Sequence, residues 1–331
     1  KPYPDELLYS VIARYLVHIG VKNRYSMAPY IFGYKASAQV DLPSSLDTVS
    51  ERTFPIWQMT GEQIAKRLTL FPYYSRYLPS AQSDQCLTNL LSDDRRGPHM
   101  LLGVNMFRVK ASRFLRFCTV CRKSDLSKYG ETYWRRSHQL PGVLVCPEHG
   151  GQLLDSKAPL RPTNASQFAD ATDSTFDVAG EYSGSLDETE KTMALKISKR
   201  CQEILLGPIK IWDTEKLRAA YRHAALERGF TMSNRSTSLS PTKLSSEFIL
   251  FYGESLLSKL NCTVELNNKR PIWLQTIFCA NSHQIASHPV EHALVQIFLE
   301  NTPINPSKRM LFGDGPWKCP KSARHTGARP S

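Results

Sequence analysis

Apolar positions recur at helical spacing along most of this chain. Leu7, Leu8, Val11, Ile12, Tyr15, Leu16 and Ile19 share one face. Asp5 after Pro4 offers an N-cap and Gly20 a stop, so residues 5–20 predict a helix. A stripe of this kind reads as core packing. Pro43-Ser44-Ser45-Leu46 predicts the start of a second helix. Ile64, Leu68 and Leu70 then lead into Leu70-Phe71-Pro72-Tyr73-Tyr74, where Pro72 is expected to break any helix. Thr189 to Leu206 predicts a longer helix with Met193, Ile197, Cys201, Ile204 and Leu205 inward. Lys191, Lys196, Lys199 and Arg200 lie on its polar face, and Gly207-Pro208 stops it. Asp213 is placed to cap a helix ending near Gly229. Ser240-Pro241 opens another, carrying Leu244, Phe248, Phe251 and Tyr252. Gly253 interrupts it, Leu256, Leu257 and Leu260 continue it, and Pro289 starts a last helix through Leu299.

Two stretches depart from this pattern. Residues 162–190 hold seven acidic residues and no Lys or Arg, with many Ser, Thr and Ala, and read as a linker or surface loop. Residues 114–154 predict short strands around tight turns. The expected fold is therefore mainly α with a small β knuckle. The expected layout is an N-terminal helical region (1–113), a knuckle (114–160), an acidic linker or surface loop (161–190), a C-terminal helical region (191–304) and a basic tail or the start of a further module (305–331). A run of short helices with basic loops fits a helix-turn-helix, which lays one helix in the major groove. Any small helical bundle shows the same periodicity, so both readings stand.

Composition narrows the class. The 331 residues suffice for two or three domains, and 41% are apolar. The longest apolar runs are too short to span a bilayer, and no secretory signal opens the chain. The first residue is Lys1 rather than Met, and the chain ends in a polar, basic stretch, so a fragment of a longer protein is expected. The net charge is +12, and residues 101–150 hold nine Lys and Arg against three acidic residues, which is half of it. Clustered cations with nearby aromatics are the footprint of a phosphate-backbone reader. The plainer reading is a surface charge that keeps the protein in solution.

Chemistry concentrates in the same window. Cys118 and Cys121 form a Cys-x-x-Cys pair, and after twenty-four residues Cys146 and His149 form a Cys-x-x-His pair. Two chelating pairs at this separation suit a tetrahedral Zn2+ site whose four ligands leave no open position for a catalytic water. The alternative is buried thiols, a disulfide and an incidental His. The other cysteines (Cys86, Cys201, Cys262, Cys279 and Cys319) are scattered singly, unlike a secreted disulfide scaffold, and a reducing cytosol is expected. Cys279, His283, His288 and His292 also form a cluster on paper, but His288-Pro289 reads more simply as a helix start. The candidate phosphate contacts are Arg113, Arg116, Lys123, Lys128, Arg135 and Arg136 around the knuckle. Lys196, Arg200, Arg235 and Lys243 are the candidates in the helical half. For each, a solvated surface charge is the competing reading. Tyr133 and Trp134 read as core filling rather than stacking platforms. No paired-carboxylate metal motif or nucleophile elbow points to a hydrolase.

Four segments then carry a resemblance. PYPDELLYSVIAR (2–14), LPSSL (42–46), LFPYYSRYL (70–78) and the block from RFC at 116–118 to YGETYWRRSHQLPGVLVCPEHG, ending at 150, resemble the TnsD/TniQ family of bacterial transposon target-selection proteins in order and spacing. The match covers about residues 2–154. Residues 253–260 and SHPVEHALVQIFL (287–299) resemble, more loosely, the carboxyl half of the longer TnsD type. The resemblance implies a non-enzymatic, cytoplasmic and nucleoid-associated adaptor. It would bind a chromosomal attachment sequence in duplex DNA, recruit the AAA+ ATPase TnsC, and reach transposase subunits through TnsC. It also implies zinc on Cys118, Cys121, Cys146 and His149, and a TnsC-facing surface around residues 2–20. Shorter TniQ relatives instead link a CRISPR effector to TnsC, which is the alternative expectation. One departure is visible: Gly315-Pro316-Trp317 is followed by Cys319 and His325, but Arg324 stands where a middle Cys would, so no second zinc site is expected there.

Overall fold

A computed structural model of the chain describes residues 1–20, 28–33, 39–93, 98–102, 109, 111–161, 168–172, 185–207, 214–233, 238–264, 273–278 and 287–305. The described chain is mainly helical, with one small two-stranded sheet.

Helix α1 (Leu8–His18) buries Leu8, Val11, Ile12 and Leu16 of the predicted stripe, whereas Tyr15 and Ile19 are exposed. Asp5 does not cap it. Its backbone takes φ +56, and its carboxylate accepts the Ser137 N–H at 3.1 Å and the Arg136 Nε–H at 3.2 Å. The lead-in to α1 is pinned instead to the segment before the second ligand pair. The Leu7 N–H donates to the Trp134 carbonyl at 3.1 Å and the Arg136 N–H to the Asp5 carbonyl at 2.7 Å. An aspartate that looks like a cap from local sequence is thus spent on a contact more than 130 positions away.

Next come α2 (Ala28–Phe32), α3 (Leu46–Trp57) and α4 (Gly61–Leu68), the last closed at its start by a Thr60–Gln63 capping box. Pro72 does not end a helix. It sits in the first turn of α5 (Phe71–Ser75), where a missing N–H costs nothing. Helices α6 (Ser80–Leu91) and α7 (Pro98–Leu101) follow. Strand β1 (Phe114–Phe117) then pairs antiparallel with β2 (Leu154–Pro159) around α8 (Thr119–Tyr129), with Arg116 opposite Asp155 and Phe117 opposite Leu154. In the second half lie α9 (Glu188–Leu206), α10 (Thr214–Glu227), α11 (Pro241–Tyr252), α12 (Glu254–Lys259), α13 (Trp273–Phe278) and α14 (Pro289–Asn301). Ser240 Oγ accepts the Lys243 N–H at the start of α11, as the sequence suggests. The expected cap Asp213 lies outside the described residues.

Helix α14 is the hub of the second half. Every residue from Pro289 to Leu299 is buried, so it is apolar on all sides apart from a few paired polar groups. It packs on α9, α10 and α13. His292 stacks on Tyr77 with ring centroids 3.9 Å apart, and its Nδ1 lies in hydrogen-bond contact with Tyr221 Oη at 3.2 Å. Gln296 Nε2 donates to Tyr221 Oη at 2.8 Å and Tyr77 Oη at 3.2 Å. The apolar core is one connected cluster that includes Leu7, Leu46, Trp134, Cys146, Ile197 and Leu294. Within the stretch expected to be a linker or surface loop, Phe168 is buried against Tyr9, and Ala169 bonds both Tyr9 Oη and Trp134 Nε1. Among the described residues no helix is long and apolar enough to cross a membrane.

Candidate metal centre

The two ligand pairs reach one point by different local devices. β1 delivers Cys118 to the N-terminus of α8 in extended conformation (φ −108, ψ 130), and Cys121 follows one helical turn later, held by the Arg122 N–H to Cys118 carbonyl bond at 3.0 Å. The second pair lies on a tight turn. The Cys146 N–H donates to the Gly151 carbonyl and the Gly150 N–H to the Cys146 carbonyl, both at 2.8 Å. Gly150 closes it at φ +70, a conformation other residues enter at a cost.

The donor atoms of Cys118, Cys121, Cys146 and His149 all lie within 4.8 Å of one another, with the three cysteines buried and His149 exposed. Cys121 Sγ is 3.7 Å from Cys146 Sγ. His149 Nδ1 is 3.2 Å from Cys121 Sγ, 3.6 Å from Cys146 Sγ and 3.8 Å from Cys118 Sγ. A tetrahedron with metal–sulfur bonds of about 2.3 Å has edges of about 3.7 Å, so this set can hold a tetrahedral ion. The thiols also need one. Hydrogen bonds from Cys121 and Cys146 hold the Cys118 thiol far below its usual range, while the bond to Cys118 pushes the Cys121 thiol far above it. Three sulfurs this close cannot all ionise unless a cation sits between them.

The surroundings include a side chain that motif spacing did not reveal. His138 is buried at the base of the site, with Nε2 3.6 Å from Cys146 Sγ and 3.8 Å from Cys121 Sγ. Burial and the nearby Arg135 keep its ring neutral, with a pKa lowered to about 3. A histidine between two ligand pairs was the available signal, but it stands outside any chelating spacing. Arg135 lies over the Tyr133 ring at 4.9 Å and pairs with Asp125 at 2.6 Å.

The candidate phosphate contacts separate into two groups. Arg116 is 4% exposed, and its guanidinium donates to the Leu140 and Val143 carbonyls. Arg136 is 5% exposed and is held by Asp5 and the Lys66 and Thr69 carbonyls. Arg135 is half-buried and paired with Asp125, and Arg200 bridges α9 to Glu300 and Gln296 on α14. In this fold these four arginines tie elements together. Arg113, Lys123, Lys128, Lys196 and Lys243 face solvent, although Lys243 Nζ also donates to the Gly229 carbonyl at 2.9 Å. Arg235 lies outside the described residues. Tyr133 and Trp134 are buried, with Tyr133 Oη bonded to the Pro4 carbonyl at 3.0 Å, so both fill the core.

His288 opens a helix. His288 Nδ1 accepts the Val290 N–H at 3.1 Å and Glu291 bonds back to the His288 N–H at 2.9 Å, forming a capping box on α14. Cys279, His283, Cys319 and His325 lie outside the described residues.

The TniQ family model matches residues 1–153 and the model for Tn7-like transposition protein D matches residues 197–330. The chain is 26% identical over 296 residues to the transposon Tn7 transposition protein TnsD of Escherichia coli, an alignment covering 89% of this chain and 56% of that protein. The chain thus spans about half the length of the curated relative it matches.

Proposed function

Because this chain belongs to the TnsD/TniQ family, we propose that it selects the target site of a bacterial transposon by binding a chromosomal attachment sequence in duplex DNA and recruiting the AAA+ ATPase TnsC. The observation that carries this reading is the joining, in one connected core, of a Cys3His centre within the TniQ-like half to a helical half matched by the Tn7-like protein D model. That second match favours a target selector over the short adaptor that links a CRISPR effector to TnsC.

The bound ion is zinc, held by Cys118, Cys121, Cys146 and His149. It cross-links two turns and leaves no coordination position for a substrate, so the chain acts by binding and not as an enzyme. Arg113, Lys123, Lys128, Lys196 and Lys243 supply the phosphate contacts that place the protein on the duplex. Base-edge readout falls to the helical half, whose run of short helices fits a helix-turn-helix. TnsC docks on the N-terminal helical region. A cavity of 610 Å³ there is lined by Val11, Tyr15, Ile56 and Trp57, and Tyr30 and Ile56 are 71% and 60% exposed beside it. Transposase subunits are reached through TnsC.

Zinc-loaded protein, duplex DNA and TnsC, mixed without guide RNA over a salt series, test this reading. The expected result is a linear fall of log affinity with log salt and retention of TnsC on DNA only when the chain is present. Capture of TnsC with no affinity for duplex would move the chain to the adaptor class.

A further inference from the structure

We propose that His138 is a working part of the metal centre: it donates its Nε2–H to the sulfurs of Cys121 and Cys146 and positions both thiolates on the ion without binding the ion itself. This inference rests on the metal reading above. Its basis is geometric. His149 Nδ1 stands within 3.8 Å of all three sulfurs, as a fourth ligand must. His138 Nε2 stands near two of them, at 3.6 and 3.8 Å, beside the 3.7 Å edge between Cys121 and Cys146. An N–H aimed at that edge is shared by both sulfurs.

The residues on either side of His138 are held in place. His138 occupies a single 3-10 turn, Ser137–Gln139. The Gln139 side chain grips the β1 backbone through both of its atoms, accepting the Arg116 N–H at 2.8 Å and donating to the Arg116 carbonyl at 2.9 Å. The Ser137 N–H is fixed by the Asp5 carboxylate. β1 ends at the residue before Cys118, so one clamp sets both a ligand and the donor facing the other two sulfurs. The chemistry follows from charge. Three thiolates and one neutral imidazole leave a dication shell with a net negative charge, spread over the sulfurs. An N–H donor takes up part of that charge and restrains the sulfurs against protonation and release. His149 is exposed, while His138 is buried beside the Cys121–Cys146 edge. The required tautomer carries its proton on Nε2.

The chain loaded with cadmium-113 and labelled with nitrogen-15 at histidine tests this without any substitution. The expected spectrum shows direct metal–nitrogen coupling at His149 Nδ1. It also shows a protonated His138 Nε2 whose proton couples weakly to the metal through sulfur. An unprotonated Nε2, or direct metal coupling at His138, would overturn the proposal. Two variants add a rate. His138→Leu should lose zinc to a competing chelator about tenfold faster than the native chain, and His138→Gln, which returns an N–H at similar reach, should stay within about twofold of native. Equal rates for all three chains, or equal loss in both variants, would show that the ring only fills space. If the native chain itself bound no zinc or cadmium, the metal reading would fail first and this inference with it. Tight native binding with no effect of His138→Leu would remove this inference alone.

Discussion

Arg113 and Arg116 lie three positions apart and carry the same charge, yet only Arg113 faces solvent. Arg116 is enclosed, with its guanidinium on two carbonyls of the segment leading to Cys146. Arg116→Leu strands those carbonyls in the interior and should cost about 2 kcal/mol in denaturant unfolding. Arg113→Ala should change stability by less than about 0.5 kcal/mol and remove about one unit from the slope of log affinity against log salt. A reversed pattern would mean that the two arginines are wrongly assigned. That Cys118, Cys121, Cys146 and His149 come together was legible in the sequence because a chelating pattern depends on residue type and short spacing alone. The facing of the arginines was not. Arg135 and Arg136 are adjacent, and what turns both inward is Asp125 and Asp5, ten and 131 positions away.

At the scale of elements, local signals placed α9, α11 and α14 within a residue or two, because Pro, Gly and apolar period act nearby. They misread Asp5 and Pro72, where a distant partner and a first-turn position decided the outcome. α14 is the element on which most else depends. Gly142, at φ +83, lies where an added Cβ would fall 2.1 Å from Val290 Cγ2 in its first turn. Gly142→Ala should therefore lower stability by about 2 kcal/mol, and Val290→Ala in the same chain should return part of it. A Gly142→Ala chain that melts like the native one would contradict this packing.

The same helix predicts a pH dependence. Burial lowers the His292 pKa to about 3, so the folded state keeps the ring neutral while the unfolded chain protonates it near 6.5. The depressed folded value means that this contribution is fully present above about pH 6.5 and is lost as pH falls toward 3. His292→Phe keeps a ring against Tyr77 and removes the titration. Between pH 6 and 4 the native chain should lose about 1.4 kcal/mol per pH unit more than the variant. Parallel stability curves would show that His292 does not titrate on unfolding.

For the molecule as a whole, the candidate metal centre is part of the continuous core and not an appended finger, since Cys118, Cys121 and Cys146 belong to the same apolar cluster as α1 and α14. Chelation should therefore lower the melting temperature of the whole chain in one transition and expose these three thiols to alkylation together. Two separate transitions would show that the TniQ-like half and the helical half fold independently.

The measurement that bears most directly on target selection is capture of duplex fragments from a bacterial genome by the zinc-loaded chain, without guide RNA, at physiological salt. Recovery of fragments sharing one short sequence is the expected result. Recovery of fragments with no shared sequence would contradict it.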